Sequence, residues 1–246
     1  VKVLVIGGGG REHALVWRLA QCASVEAVYA APGNPGVARL AQCIPANVSD
    51  PADLLRVAES AGADLTIAGP EAPLVAGVVD AFRAAGRAIV GPTAAAAQLE
   101  GSKIFSKRFM ARAGIPTADF VTVETEAGAL QALDRFGLPV VLKADGLAAG
   151  KGVIVAATRA EAESAIRGLL SGQLVGQAGS KLVIEECLVG EEVSFIVISD
   201  GKRALPLEPT QDHKAIFDGD TGPNTGGMGA YCDSRILTGA QRRDVM

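Results

Sequence analysis

The 246-residue sequence predicts an α/β protein, with an N-terminal doubly wound parallel sheet followed by a smaller α+β lobe. Three observations carry that expectation. Strand-length apolar runs alternate with helix-length amphipathic segments from residue 1 to about 92, the pattern of a parallel sheet wrapped by helices. After GPT (91–93) the pattern changes to strands that bracket helices and a glycine loop. The length exceeds one ordinary domain, and 49% hydrophobic with 20% charged residues supplies buried cores and excludes wholesale disorder. The expected units are 1–100 and 101–246, with a small lobe at about 120–188.

The elements follow in chain order. VKVLVI (1–6) reads as a buried strand, and the helix after GGGG carries Leu15, Leu19 and Cys22 at helical spacing. Further strands are expected near 25–31, 64–68 and 88–91. Asp50 caps a helix that has Pro51 at its first position and Gly62 past its end. A helix is expected from about Pro73 to Ala85, stopping at Gly86, and another over about 94–113, ended by Gly114-Ile115-Pro116. Then come the strand FVTV, a helix at about 125–136, the strand PVVLKA, the glycine loop and VIVA. Thr158 and Glu161 have capping-box spacing and open a helix before the strand KLVIEE. From Glu192 the chain alternates, with Asp200-Gly201 as a hairpin turn, and a last helix begins near Thr238.

Composition excludes several classes of function. Net charge is −4 with no block of like charges, which argues against a nucleic-acid or membrane-surface protein. Four cysteines without a C-x-x-C pair, and only two histidines, argue against zinc and read as reduced cytosolic thiols packed as small hydrophobes. The N-terminus lacks the pattern of a signal peptide, and no apolar run reaches membrane-span length.

Four motifs carry chemistry. IGGGGREHA (6–14) presents backbone N–H groups at a helix N-terminus, which favours an anion. A dinucleotide fingerprint fails, because Glu12 stands at the third glycine position and the strand at 25–31 ends in Ala-Ala-Pro without an acidic residue. A tight turn packing helix on sheet accounts for the same residues equally well. VVLKADGLAAGKGVIV (140–155) is not a P-loop, since Gly152 follows Lys151 and a strand follows the loop. It reads either as a lid over phosphates with Lys143 at its base or as a solvated hairpin. EECLVGEEVSF (185–195) gathers four carboxylates that repel unless a cation or hydrogen-bond donor sits among them, as a nucleotide's sugar and base edge would; solvated surface acids are the alternative. QDHKAIFDGDTGPNTGGMGAY (211–231) reads as a loop too long for mere connection, hence functional; a disordered linker is the alternative, against which Ile216, Phe217, Met228 and Tyr231 count.

Together these motifs resemble the phosphoribosylamine–glycine ligases, also called glycinamide ribonucleotide synthetases, of the ATP-grasp superfamily. GGREHA, APGN (31–34), GPEAPL (69–74), GPT, LEGSK (99–103), KADGLAAGKGV, IEE and QDHK…DTGPNTGGMGAY fall in family order along the whole chain. The resemblance implies a pre-ATP-grasp N-terminal domain followed by an incomplete ATP-grasp domain. It also implies a cytoplasmic, monomeric enzyme of purine synthesis. Glycine takes the γ-phosphoryl of ATP, and the amine of 5-phosphoribosylamine attacks the resulting glycyl phosphate. Other ATP-grasp carboxylate–amine ligases of purine synthesis, or a nucleotide-binding fragment without catalysis, are the rival readings.

Carried over by position, the resemblance assigns Lys103, Lys143 and the loop with Gly146, Gly150, Lys151 and Gly152 to the ATP phosphates. It assigns Glu185, Glu186 and Leu188 to adenine and Glu192 to ribose. Gly8, Gly9, Gly10, Arg11, Glu12, His13, Asn34 and Glu71 fall to the phosphoribosylamine site. Asp212, Asn224, Gly226, Gly227 and Met228 fall to glycine and the acyl phosphate, with Asp212 and Lys143 catalytic. Mg2+ (or Mn2+) is implied for the longer parent protein, with ligands beyond Met246 and none within this chain. The 246-residue piece is accordingly expected to bind adenine nucleotide weakly and to make no product.

Overall fold

The computed structural model describes residues 1–147, 152–172, 174, 180–219 and 221–246. The first sheet is parallel throughout, built from β1 (Lys2–Gly7), β2 (Ala27–Pro32), β3 (Gln42–Cys43), β4 (Leu65–Ala68) and β5 (Ile89–Val90) in the order β3-β2-β1-β4-β5. β1 is central, and its apolar run is buried from Val3 onward because helices cover both faces. On one side α2 (Pro51–Ser60) and α4 (Val78–Ala84) bring Leu54, Val78, Val79 and Phe82 onto Leu4 and Ile6. On the other, α1 (Gly10–Leu19) lays Val16 on Val5, Val28 and Val37. The α1 face is therefore Glu12, Val16 and Leu19. Leu15, expected inside, is 38% exposed, because the turn at Gly9 sets the helix phase and Glu12 takes the buried position.

Strand order reverses between β1 and β4, so the loops leaving β1, β2 and β4 gather at one crevice at the carboxyl ends of the strands. The expected helix 73–85 is two helices, α3 (Glu71–Val75) and α4, parted by Gly77 at φ +88°, a left-handed conformation that ends the first helix. The stretch 94–113 is likewise split into α5 (Ala94–Gly101) and α6 (Lys103–Ala113). Ser102 is extended between them, and its hydroxyl accepts the Phe105 N–H to cap α6.

The second sheet is antiparallel, from β6 (Phe120–Val123), β7 (Val140–Ala144), β8 (Val153–Ala156) and β9 (Leu182–Glu186), in the order β6-β9-β7-β8. α7 (Glu126–Leu133) and α8 (Arg159–Leu170) cover one face, with Leu142, Ile166, Leu169, Leu182 and Ile184 forming the core. The capping box at Thr158 and Glu161 forms as its spacing predicts. Two hairpins follow, β10 (Val197–Ser199) with β11 (Ala204–Pro206), and β12 (Thr210–Phe217) with β13 (Thr221–Cys232). Asp200 and Gly201 do lie in the first turn. Residues 211–231, expected as a loop, form the second hairpin instead. Its glycines mask the strand pattern, and its register slips twice between His213 and Phe217. The last helix, α9 (Gly239–Val245), starts at the Thr238 cap. Among the described residues no helix is long and apolar enough to cross a membrane.

Candidate functional site

The crevice of the parallel sheet is a set of glycine turns wired together by two side chains, Asn34 and Glu12. Asn34 spends its whole amide here: Nδ2 donates to the Gly8 carbonyl (2.9 Å), while Oδ1 accepts the Gly36 and Val37 N–H groups (2.8 and 2.9 Å). Glu12 is only 3% exposed, and its Oε2 accepts the Gly9 N–H at 2.6 Å. It fits because Gly69 and Gly7 surround it; a Cβ on Gly69 would lie 2.5 Å from Glu12 Cγ. Its Oε1 is buried without a partner among the described residues. Arg11 reaches across to Glu71 at 3.2 Å, and His13 packs beside Gly36. Gly8, Gly9, Gly10, Arg11, Glu12, His13, Asn34 and Glu71 thus come together, with Glu12 and Asn34 turned inward as supports for the loop.

A cavity of about 420 Å³ lies between α6 and the antiparallel sheet, lined among others by Glu71, Lys103, Lys107, Lys143, Gly146 and Gly152. Glu71 thereby borders both this cavity and the crevice. Lys103 and Lys143 enter from opposite walls, one from the first turn of α6 and one near the end of β7. Lys103 Nζ donates to the Gly146 carbonyl at 2.9 Å. Burial pushes the Lys103 ammonium below its usual value; Asp145 and Glu100 oppose the shift, and the Lys143 charge adds to it. Asp145 ties the two walls, its carboxylate accepting the Ser102 hydroxyl and the Ile104 N–H.

Glu185 faces this lysine cluster. It is 4% exposed and ion-paired on one oxygen with Lys143 and on the other with Lys107. The cation needed among the acids of 185–192 is therefore supplied by the protein. Glu186 accepts the Asp119 N–H at 2.8 Å. Leu188 is 69% exposed and lines a second, open cavity of about 880 Å³ with Glu192, Gln211, Asp212, His213, Lys214 and Tyr231. There Lys214 pairs with Glu192 and lies 3.5 Å from Asp212. The hydrogen bond to Glu192 is the main reason its ammonium is held above the usual value. Gly226, Gly227 and Met228 sit on β13, and Met228 is exposed. Gly150, Lys151 and the side chain of Asn224 lie outside the described residues.

Lys107 and Lys214 also line these cavities, though neither was among the residues the motifs pointed to. Lys107 stands four residues after Lys103 on α6, hence on the same helix face, and that spacing was its signal. Among the described residues no group of three or more Asp, Glu, His or Cys side chains could hold a metal ion.

A parallel sheet with its crevice at the strand-order reversal, followed by an antiparallel sheet beside a cavity lined by lysines, Gly146 and Gly152, defines an ATP-grasp fold. Two family models match end to end. One is described as phosphoribosylglycinamide synthetase, N domain, over residues 1–100, and the other as phosphoribosylglycinamide synthetase, ATP-grasp (A) domain, over residues 101–246. The chain belongs to the phosphoribosylglycinamide synthetase family. It is 56% identical over 248 residues to a phosphoribosylamine–glycine ligase of Xylella fastidiosa, covering all of this chain and 58% of that protein. The Escherichia coli K12 ligase is 57% identical over 240 residues, covering 97% of this chain and 56% of the relative. The chain thus spans somewhat more than half the length of the curated relatives it matches. A solved phosphoribosylamine–glycine ligase from Thermotoga maritima superposes with TM-score 0.79 at 34% identity, over 94% of this chain and 55% of that one. The biotin carboxylase domain of a Hydrogenobacter thermophilus 2-oxoglutarate carboxylase, at TM-score 0.67 and 21% identity, shares the fold.

Proposed function

We propose that this chain is the N-terminal and nucleotide-binding part of an enzyme that ligates glycine to 5-phosphoribosylamine at the expense of ATP, with the unit boundary near residue 100. The observation that carries the reading is the pair Lys103 and Lys143, brought from separate elements to opposite walls of one cavity. Two ammoniums there, with Gly146 and Gly152 in the lining, suit a triphosphate, because phosphoryl transfer needs positioning and charge neutralisation more than covalent chemistry.

In this reading the glycine carboxylate attacks the γ-phosphorus of ATP, giving glycyl phosphate and ADP. The amine of phosphoribosylamine then attacks the acyl carbon, and phosphate leaves as the amide forms with loss of a proton. Lys143 and Lys103 hold the phosphoryl oxygens, with Gly146 and Gly152 lining the cavity beside them. Glu185, Glu186 and Leu188 border the base and Glu192 the ribose. Asp212, held beside Lys214, faces glycine together with the 224–228 segment of β13. The crevice loop at Gly8–Gly10 offers the Gly8 and Gly10 amides to the phosphate of phosphoribosylamine, with Glu12, which holds the Gly9 N–H, and Asn34 supporting it and Arg11, His13 and Glu71 at the rim. Mg2+ (or Mn2+) would accompany the nucleotide.

The test is Lys143→Ala in the complete polypeptide. A charge-assisted hydrogen bond contributes about 1.5–3 kcal/mol, so ATP affinity by titration calorimetry should fall about tenfold to a hundredfold. ADP release dependent on both glycine and phosphoribosylamine should nearly vanish. Unchanged affinity and rate would refute the assignment.

A further inference from the structure

Lys107 is the most deeply buried cation near the cavity, at 7% exposure, and no motif accounts for it. Its Nζ donates to Thr117 Oγ1 (2.7 Å) and to the Ala118 carbonyl (3.2 Å), and sits 5.5 Å from the centre of the Phe120 ring. It also lies 2.5 Å from Glu185 Oε2, as an ion pair without hydrogen-bond alignment. Those contacts tie the ammonium to the wall behind the cavity. Glu185 is the shared counter-ion, because its other oxygen pairs with Lys143, whose side chain keeps 28% exposure toward the cavity.

We propose that Lys107 is a positioning residue for the nucleotide: by sharing the Glu185 carboxylate it leaves the Lys143 ammonium free to meet a phosphate. The physics is competition. A buried carboxylate needs a compensating charge. With Lys107 present, Glu185 has a permanent partner that cannot leave. Without it, Lys143 becomes the sole counter-ion, and an incoming phosphate must take Lys143 away from a buried carboxylate. Glu185 then acts as an internal rival of ATP. This inference rests on the nucleotide reading above.

The experiment measures the Kd of ATP and of adenosine for the complete polypeptide and three variants, with folding checked by circular dichroism. The wild type should bind, and Lys107→Met should weaken ATP about tenfold, the size of one charge-assisted contact. Lys107→Arg should retain affinity within about threefold, since it keeps the charge. Adenosine carries no phosphate for Lys143 to meet, so Lys107→Met should leave its Kd within about twofold of wild type. A merely structural Lys107 predicts the opposite, a loss shared by adenosine and ATP, and that result overturns the proposal. So does an ATP Kd within about twofold of wild type in Lys107→Met. Should Lys107→Met fail to fold, Lys107→Gln removes the charge and keeps a donor toward Thr117 and Ala118. It should weaken ATP about tenfold, and no change would overturn the proposal. A wild type that binds no adenine nucleotide sinks the nucleotide reading itself, an outcome separate from all of these.

Discussion

Lys103 shows how one side chain's surroundings set a measurable pH limit. Burial favours the neutral amine, so its ammonium is lost at a pH below the ordinary 10.5. If Lys103 holds phosphate, ATP affinity should fall on the alkaline side before an ordinary lysine would titrate. Lys103→Arg should flatten that limb, because a guanidinium stays charged. A titration series from neutral to alkaline pH checks this, and parallel curves for the two proteins would remove Lys103 from the phosphate site. The lysines of the cavity were legible in the sequence where they stood beside glycines, as Lys143 does. Lys107 was not, because its meaning depends on Glu185 from a strand formed 78 residues later. The burial of Glu12 is hidden in the sequence for a similar reason. A carboxylate on an exposed-looking helix start is buried only because Gly69, distant in sequence, leaves room for it.

At the scale of elements, punctuation read well and interruptions did not. Asp50 and Thr158 cap the helices their spacing announces, and Thr238 caps the helix expected to begin near it. Replacing Thr158 with Ala removes the acceptor for the Glu161 N–H and should cost about 1 kcal/mol, seen as a lower midpoint in denaturant at unchanged m-value. The breaks at Gly77 and Ser102 were invisible because neither residue forbids a helix. Gly77 ends one only by taking a left-handed conformation, and Ser102 only by turning its hydroxyl to the next turn's backbone. The β12–β13 hairpin escaped notice because five glycines in twenty-one residues suggest a loop, whereas here cross-strand pairing supplies the order.

At the scale of the molecule, the buried side chains fall into separate clusters. One lies in the antiparallel lobe and two flank the parallel sheet. Two cooperative units are the expected consequence. Leu142→Ala should lower one calorimetric transition and Leu54→Ala the other, each by a cost of about 2–5 kcal/mol. A single transition moved equally by either would show one unit. The charged array behind the cavity reaches further, because it sets a conflict between durability and work. Three ionised groups, Lys107, Glu185 and Lys143, occupy space that hydrocarbon would fill at less desolvation cost. Met, Leu and Met in their places should raise thermal resistance, by about 1–4 kcal/mol on the scale of comparable buried-ion replacements. The hardened protein should have lost ATP. Heat-selected libraries of this protein would drift toward that variant unless activity is selected alongside, so the array marks where robustness has to be declined for the chemistry to persist.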